Sequence, residues 1–254
     1  MDIIELIDLT KAYRGLKAVD RINLRVEKGT IFGFLGPNGA GKTTTIKMMA
    51  GILKPTGGRI VIDGMDISLQ ASEVKKCSGF IPDRPFLYEK LTGVEFLRFL
   101  AGLYNLDNSS SLNERLMELL DLFELSNWRD ELIESYSHGM KQRLVMCGAL
   151  IHDPKVLIVD EPMVGLDPKG ARLVKDIFRD QARKGKTVFM STHSLEVAQE
   201  VCGEIAIIQT GRIIATGTPE ELRRGAGVEG GLESTFLKIT EGKRIAHETP
   251  LSAA

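Results

Sequence analysis

The eight residues Gly36-Pro37-Asn38-Gly39-Ala40-Gly41-Lys42-Thr43 fill every fixed position of the pattern G-x-x-x-x-G-K-[ST]. They follow an apolar run, Ile31 to Leu35, that reads as a buried strand, and precede a helical pattern from Thr43 to Ala50. This pattern constrains the fold heavily, because a strand must end in a glycine-rich turn and a helix must begin there with its first N–H groups free. Glycines let the backbone close round phosphate, successive N–H groups point inward, and the helix start adds a positive dipole end. Lys42 is expected to reach the β and γ phosphates, Thr43 to offer its hydroxyl to Mg²⁺, and Thr44 to contact the α phosphate. Binding of ATP or GTP follows.

A magnesium-nucleotide site also needs a carboxylate at a neighbouring strand end, and Val156-Leu157-Ile158-Val159-Asp160-Glu161 supplies an apolar run closed by two acids. Asp160 is expected to hold the metal through water, and Glu161 to polarise a water as general base. Alone, the two acids read more simply as caps of the next segment; beside a complete phosphate loop the catalytic reading prevails. Between Lys42 and Asp160 lie enough residues for a whole lobe, a separation of 118 positions.

That interval changes character. Phe96, Leu97, Leu100 and Leu103, then Leu116, Leu119, Leu120 and Phe123, recur at helical spacing, so about Thr92 to Ile151 reads as a mostly helical lobe. Before it, Ile3 to Leu9, Ile22 to Val26 and Arg59 to Ile62 read as strands divided by turns. After it come a strand (Val156 to Val159), a helix (Lys169 to Arg183), a strand (Thr187 to Ser191), a helix (Leu195 to Val201) and a strand (Ile205 to Gln209). That alternation belongs to a parallel α/β sheet.

Composition narrows the partners. The formal net charge is -1 with 43% hydrophobic and 26% charged residues, so no global basic field points to nucleic acid. Cys77, Cys147 and Cys202 are scattered, which argues against a disulfide scaffold or structural zinc and for a reducing, intracellular setting. No signal peptide and no membrane-length apolar run is read, so any service to a membrane is expected to pass through another chain.

Taken in order, Gly36 to Thr44, Ser137-His138-Gly139-Met140-Lys141-Gln142-Arg143, Val156 to Pro162, Gly165-Leu166-Asp167-Pro168 and Ser191-Thr192-His193 resemble the ATP-binding cassette (ABC) ATPase family. The resemblance covers roughly residues 1–224. It implies a P-loop NTPase fold with a RecA-like α/β core, an antiparallel β subdomain and a helical subdomain inserted at about 84–152. Residues 225–254 remain as a tail, with a short helix from Leu232 to Ile239 and disorder expected around it.

The resemblance also assigns roles. Gly36, Pro37, Asn38, Gly39, Ala40, Gly41, Lys42, Thr43 and Thr44 bind nucleotide, Tyr13 stacks on adenine, and His193 is the switch histidine against the γ phosphate. Ser137 and Gly139 reach the γ phosphate bound by a second chain, and Asp167 lines the seam between chains. Two positions depart from the family pattern. Tyr136-Ser137-His138-Gly139-Met140 replaces the usual Leu-Ser-Gly-Gly-Gln, and Asp83 stands where most members have the glutamine that links Mg²⁺ to the helical lobe. Together they resemble the branch serving exporters of drugs, lipids, polysaccharides or ions. The implied assembly is a pair of cassettes, two copies of this chain being expected, bound to an integral-membrane permease at the cytoplasmic face. A soluble ABC ATPase with a regulatory or assembly role is the alternative.

Overall fold

In the computed structural model, which describes residues 1–107, 109–226 and 236, the chain begins with a long antiparallel hairpin. Strands β1 (Asp2–Tyr13) and β2 (Leu16–Glu27) meet at a two-residue turn, Arg14-Gly15, where both residues take positive φ. That geometry matches the twist of a hairpin. The strands outrun the expected Ile3 to Leu9 and Ile22 to Val26 because cross-strand pairing carries them on to the turn, with Val19 the one apolar residue of β2 buried beyond Ile22.

β3 (Ile31–Leu35) passes through the glycine loop into α1 (Lys42–Met49). β4 (Gly57–Ile62) and β5 (Met65–Asp66) complete an antiparallel sheet in the order β2-β1-β4-β5. α2 (Ala71–Cys77) and β6 (Ser78–Ile81) escape the sequence pattern, since α2 is a seven-residue helix that buries Val74 alone. The middle of the chain holds α3 (Gly93–Leu103), α4 (Ser110–Leu122) and α5 (His138–Leu150). α3 opens on a capping box in which Thr92 Oγ1 accepts from the Glu95 N–H and Glu95 Oε2 accepts from the Thr92 N–H. Leu97, Leu116, Leu119, Leu120 and Phe123 are buried as their spacing requires, whereas Leu103 is 64% exposed.

β7 (Val156–Asp160), α6 (Pro168–Arg183), β8 (Thr187–Thr192), α7 (Leu195–Val201), β9 (Glu204–Gln209), β10 (Arg212–Gly217) and α8 (Pro219–Ala226) complete the described elements. The second sheet runs β10-β9-β3-β8-β7-β6, parallel throughout except for β10. Its strands alternate between two cores. Leu35, Leu157, Val159, Val188, Met190, Ile205 and Ile207 face the cluster that includes the helical lobe, and Phe32, Phe34, Ile158, Phe189, Ala206 and Ile208 face the cluster shared with α1 and the antiparallel sheet. Both faces are covered, which is why these strands read as unbroken apolar runs. The helix expected from Leu232 to Ile239 lies outside the described residues except for Phe236, which is helical and packs on the first cluster.

Candidate functional site

Parallel pairing puts the C-terminal ends of β3, β6, β7 and β8 on one edge of the sheet, where ligands of open α/β folds bind. β3 delivers the glycine loop, β6 delivers Asp83, β7 delivers Asp160 and Glu161, and β8 delivers His193. The edge surrounds a cleft of about 370 Å³ lined by Pro37, Asn38, Gly39, Gly41, Lys42, Thr43, Thr44, Asp83, Glu161 and His193.

The loop conformation demands glycine at two points. A Cβ on Gly36 would lie 2.3 Å from the Ile208 carbonyl oxygen, and one on Gly41, at φ 110°, would lie 2.5 Å from that of Ala18. Ala40 turns inward, 3% exposed, its N–H donating to the Pro37 carbonyl at 3.2 Å. Lys42 is 6% exposed and curls over the loop, its ammonium donating to the Gly36 carbonyl at 2.7 Å. The same nitrogen lies 3.6 Å from Glu161 Oε1.

Glu161 is thereby gripped from two sides. Its Oε2 accepts from the His193 backbone N–H at 3.3 Å and lies 2.9 Å from His193 Nδ1, while its own N–H donates to Ser191 Oγ at 3.1 Å. It adopts φ 48°, a left-handed conformation uncommon outside glycine, and such strain persists where the surroundings over-determine it. Asp160 lies beneath the cleft, 1% exposed, and accepts from Ser191 Oγ at 2.5 Å, the register placing Asp160 directly opposite Ser191. Burial raises the Asp160 pKa, hydrogen bonds from Ser191 and Thr43 oppose that, and the charges of Asp83 and Glu161 add to it.

The remaining expected residues are not among those lining this cleft. Tyr13 is 46% exposed, with the Lys11 ammonium 5.2 Å from its ring centroid. Ser137 is the N-cap of α5, its hydroxyl accepting from the Met140 N–H at 3.3 Å, with Gly139 in the first turn behind it. Asp167 caps α6, accepting from the Gly170 N–H at 2.9 Å.

The family model described as ABC transporter matches residues 19–164, more than half of the chain. The chain belongs to the ABC transporter ATP-binding family. The cassette is 39% identical over 224 residues to the daunorubicin/doxorubicin resistance ATP-binding protein DrrA of Streptomyces peucetius, covering 88% of this chain and 68% of DrrA. It is 37% identical over 221 residues to the probable multidrug ABC transporter ATP-binding protein YbhF of Escherichia coli, covering 87% of this chain but 38% of YbhF. It thus spans only part of the length of these relatives.

Among solved structures, an ATP-binding subunit of an ABC transporter superposes with a TM-score of 0.88 at 32% identity, covering 94% of this chain and 99% of that one. The cassette MJ0796, solved as a dimer in a post-hydrolysis state with ADP and Pi, gives 0.77 at 26% identity over 85% of this chain and 98% of that one.

Three cleft residues of the cassette were not found by sequence reasoning: Ala18, Arg84 and Val164. Ala18 and Val164 carry no chemical signal, as they reach the cleft through a strand irregularity and a turn. Arg84 does carry a signal, since a guanidinium close to a phosphate loop suits phosphate recognition, but nothing in its sequence neighbourhood places it there.

Proposed function

We propose that the cassette binds and hydrolyses ATP as the energy-coupling subunit of an ABC exporter, two copies closing head to tail on two nucleotides. The observation that carries this reading is the division of the expected phosphate ligands. Lys42, Glu161 and His193 share one cleft, while Ser137 and Gly139 present the first turn of α5 elsewhere, as halves of a site completed between chains. In the closed pair, Lys42 leaves Glu161 for the β and γ phosphates, freeing the carboxylate to take a proton from the attacking water. The water oxygen bonds to the γ phosphorus, the bond to the β-phosphate oxygen breaks, and ADP and phosphate leave. His193 holds the carboxylate during attack, and Tyr13 packs on the adenine.

The residues fit Mg²⁺. Asp160 is a buried carboxylate whose charge is disfavoured until a cation arrives, and the Thr43 hydroxyl and Asp83 add hard oxygen donors. Among the described residues no group of three His, Cys, Asp or Glu side chains is placed to hold a metal alone, so phosphate oxygens complete the set. When bound, Mg²⁺ neutralises phosphate charge and orients the β and γ groups.

The membrane partner is a permease chain. No helix among the described residues is long and apolar enough to cross a membrane. An exposed aromatic row, Phe86, Tyr88 and Phe99, in edge-to-face contact between the cleft and the helical lobe, suits a protein partner at the cytoplasmic membrane surface. Daunorubicin and doxorubicin resistance belongs to the DrrA relative by name, and export is the reading for this cassette.

The deciding experiment measures ATPase rate against protein concentration for the wild type and Glu161→Gln, with size-exclusion chromatography of the variant in ATP. Turnover per chain that rises with concentration, together with an inactive, ATP-trapped dimer of the variant, supports the shared site. Brisk turnover independent of dilution, with no dimer, overturns it.

A further inference from the structure

His138 is the first residue of α5, immediately after the cap Ser137. Its ring lies against Gly165: a Cβ on Gly165 would fall 2.3 Å from His138 Cδ2 and 2.5 Å from Nε2. Residue 165 takes φ 80° as well, so two independent constraints select glycine there. Gly139 faces the same loop, a Cβ on it coming 3.7 Å from the Gly165 carbonyl oxygen and 3.8 Å from Leu166 Cδ2. The first turn of α5 therefore rests on this loop through a ring on one side and bare backbone on the other.

The loop is the segment that carries Glu161. The Val164 N–H donates to the Glu161 carbonyl at 3.2 Å and the Leu166 N–H to the Met163 carbonyl at 3.3 Å, giving two successive turns before Asp167 caps α6. Neither a strand nor a helix stiffens residues 161–167, so their position depends on these turns and on what packs against them. The contact recorded for the His138 ring is with Gly165, so packing is what the ring contributes to this loop.

We infer that His138 is a positioning residue that couples the start of α5 to Glu161 within one chain. Movement of the α5 first turn is transmitted through the ring to Gly165, and from there down the turn to the carboxylate. This rests on the proposed shared site, in which the α5 start meets the γ phosphate held by the partner chain. Arrival of that phosphate and the aim of the general base then become one event in each chain.

The test compares His138→Ala, His138→Phe, Gly165→Ala and the double variant His138→Gly/Gly165→Ala. Two readouts are used: amide hydrogen exchange of residues 163–167 in the dilute, nucleotide-free chain, and steady-state ATP hydrolysis. His138→Ala is expected to speed exchange in that loop about fivefold. It is also expected to lower kcat about tenfold while KM for ATP moves less than about twofold. His138→Phe keeps a flat ring without nitrogen and restores both readouts, with the wild-type pH profile. Gly165→Ala loses at least as much activity as His138→Ala, and removal of the ring in the double variant recovers part of the loss, since the clash goes and the backbone strain stays.

Wild-type exchange and kcat in His138→Ala would overturn the inference. So would a His138→Phe chain as impaired as His138→Ala with a shifted pH profile, because the nitrogen would then act on phosphate directly. Failure of Glu161→Gln to dimerise on ATP, with the exchange pattern as expected, would refute the shared site while upholding the coupling within the chain.

Discussion

Asp160 holds a carboxylate at the end of an apolar strand, 1% exposed and beside two other acids. A buried charge lacking a counter-ion is destabilising until a ligand supplies one. Asp160→Asn keeps an acceptor for the Ser191 hydroxyl and removes the charge. It is expected to raise the Tm of the nucleotide-free chain by roughly 2–4 °C while abolishing hydrolysis. Scanning fluorimetry beside an ATPase assay reads both, and a lowered Tm would mean the charge is already compensated. Asp20 shows the opposite case. It accepts from Lys17 Nζ at 2.9 Å and Arg212 Nε at 2.8 Å, and these partners hold its pKa down from 3.8 to about 2. Because the folded pKa is the lower one, the stabilisation is whole above pH 3.8 and disappears as pH falls through about 2. Asp20→Asn should therefore lower the urea midpoint at neutral pH, and the gap to wild type should close across that acid window.

At the scale of elements, one histidine links the end of α3 to the sheet. Tyr104, the residue ending α3, stacks on His152 at 3.8 Å between centroids and 10° between planes, and His152 Nε2 lies 3.1 Å from the Ser78 carbonyl at the start of β6. Burial pushes the His152 pKa below 6.5, and Nδ1 has no partner. The neutral ring is the one the fold favours, so this junction is fully stable above pH 6.5 and weakens as pH falls below it. His152→Phe keeps the stack and loses the hydrogen bond. It should be less stable by about 1 kcal/mol at neutral pH, with a shallower loss on acidification, as measured by thermal unfolding across pH. Elements differ in how legible they are for a related reason. β3, β7, β8 and β9 announce themselves as apolar runs because both their faces are covered, whereas β5, β6 and α2 are short and β10 has no fully buried residue after its turn, so these acquire their form from the neighbours they pack against.

At the scale of the molecule, two cores meet on either side of one sheet, and the cleft lined by the glycine loop opens along the edge between them. Gln142 of α5 sits near that junction, fully buried, its Nε2 donating to the Pro82 carbonyl at 3.4 Å and its Oε1 without a partner. Ion pairs Lys141–Glu89 at 2.5 Å and Lys90–Glu134 at 2.6 Å strap the loop after β6 to the helical lobe. Ligand bound to the cleft should stabilise the whole chain. At a Mg-ATP concentration 100 times Kd the gain is about 2.7 kcal/mol, or roughly 5–10 °C in Tm for a chain of this size. Lys42→Ala, deprived of the ammonium at the phosphates, should show little of that shift. A full shift in Lys42→Ala would mean that nucleotide is held elsewhere.

The phosphate loop, the two acids that close β7 and the order of the cassette motifs are legible in the amino-acid order alone. These are local: glycine conformations, a strand end and a helix start are set within a few residues of each other. Only the tertiary structure decided that Lys42 and His193 meet on Glu161, that Ser137 and Gly139 stay out of that cleft, and that His138 rests on Gly165. Strands buried on both faces carry no label for which neighbour they pair with, so the order β3-β8-β7 and its register are settled by packing.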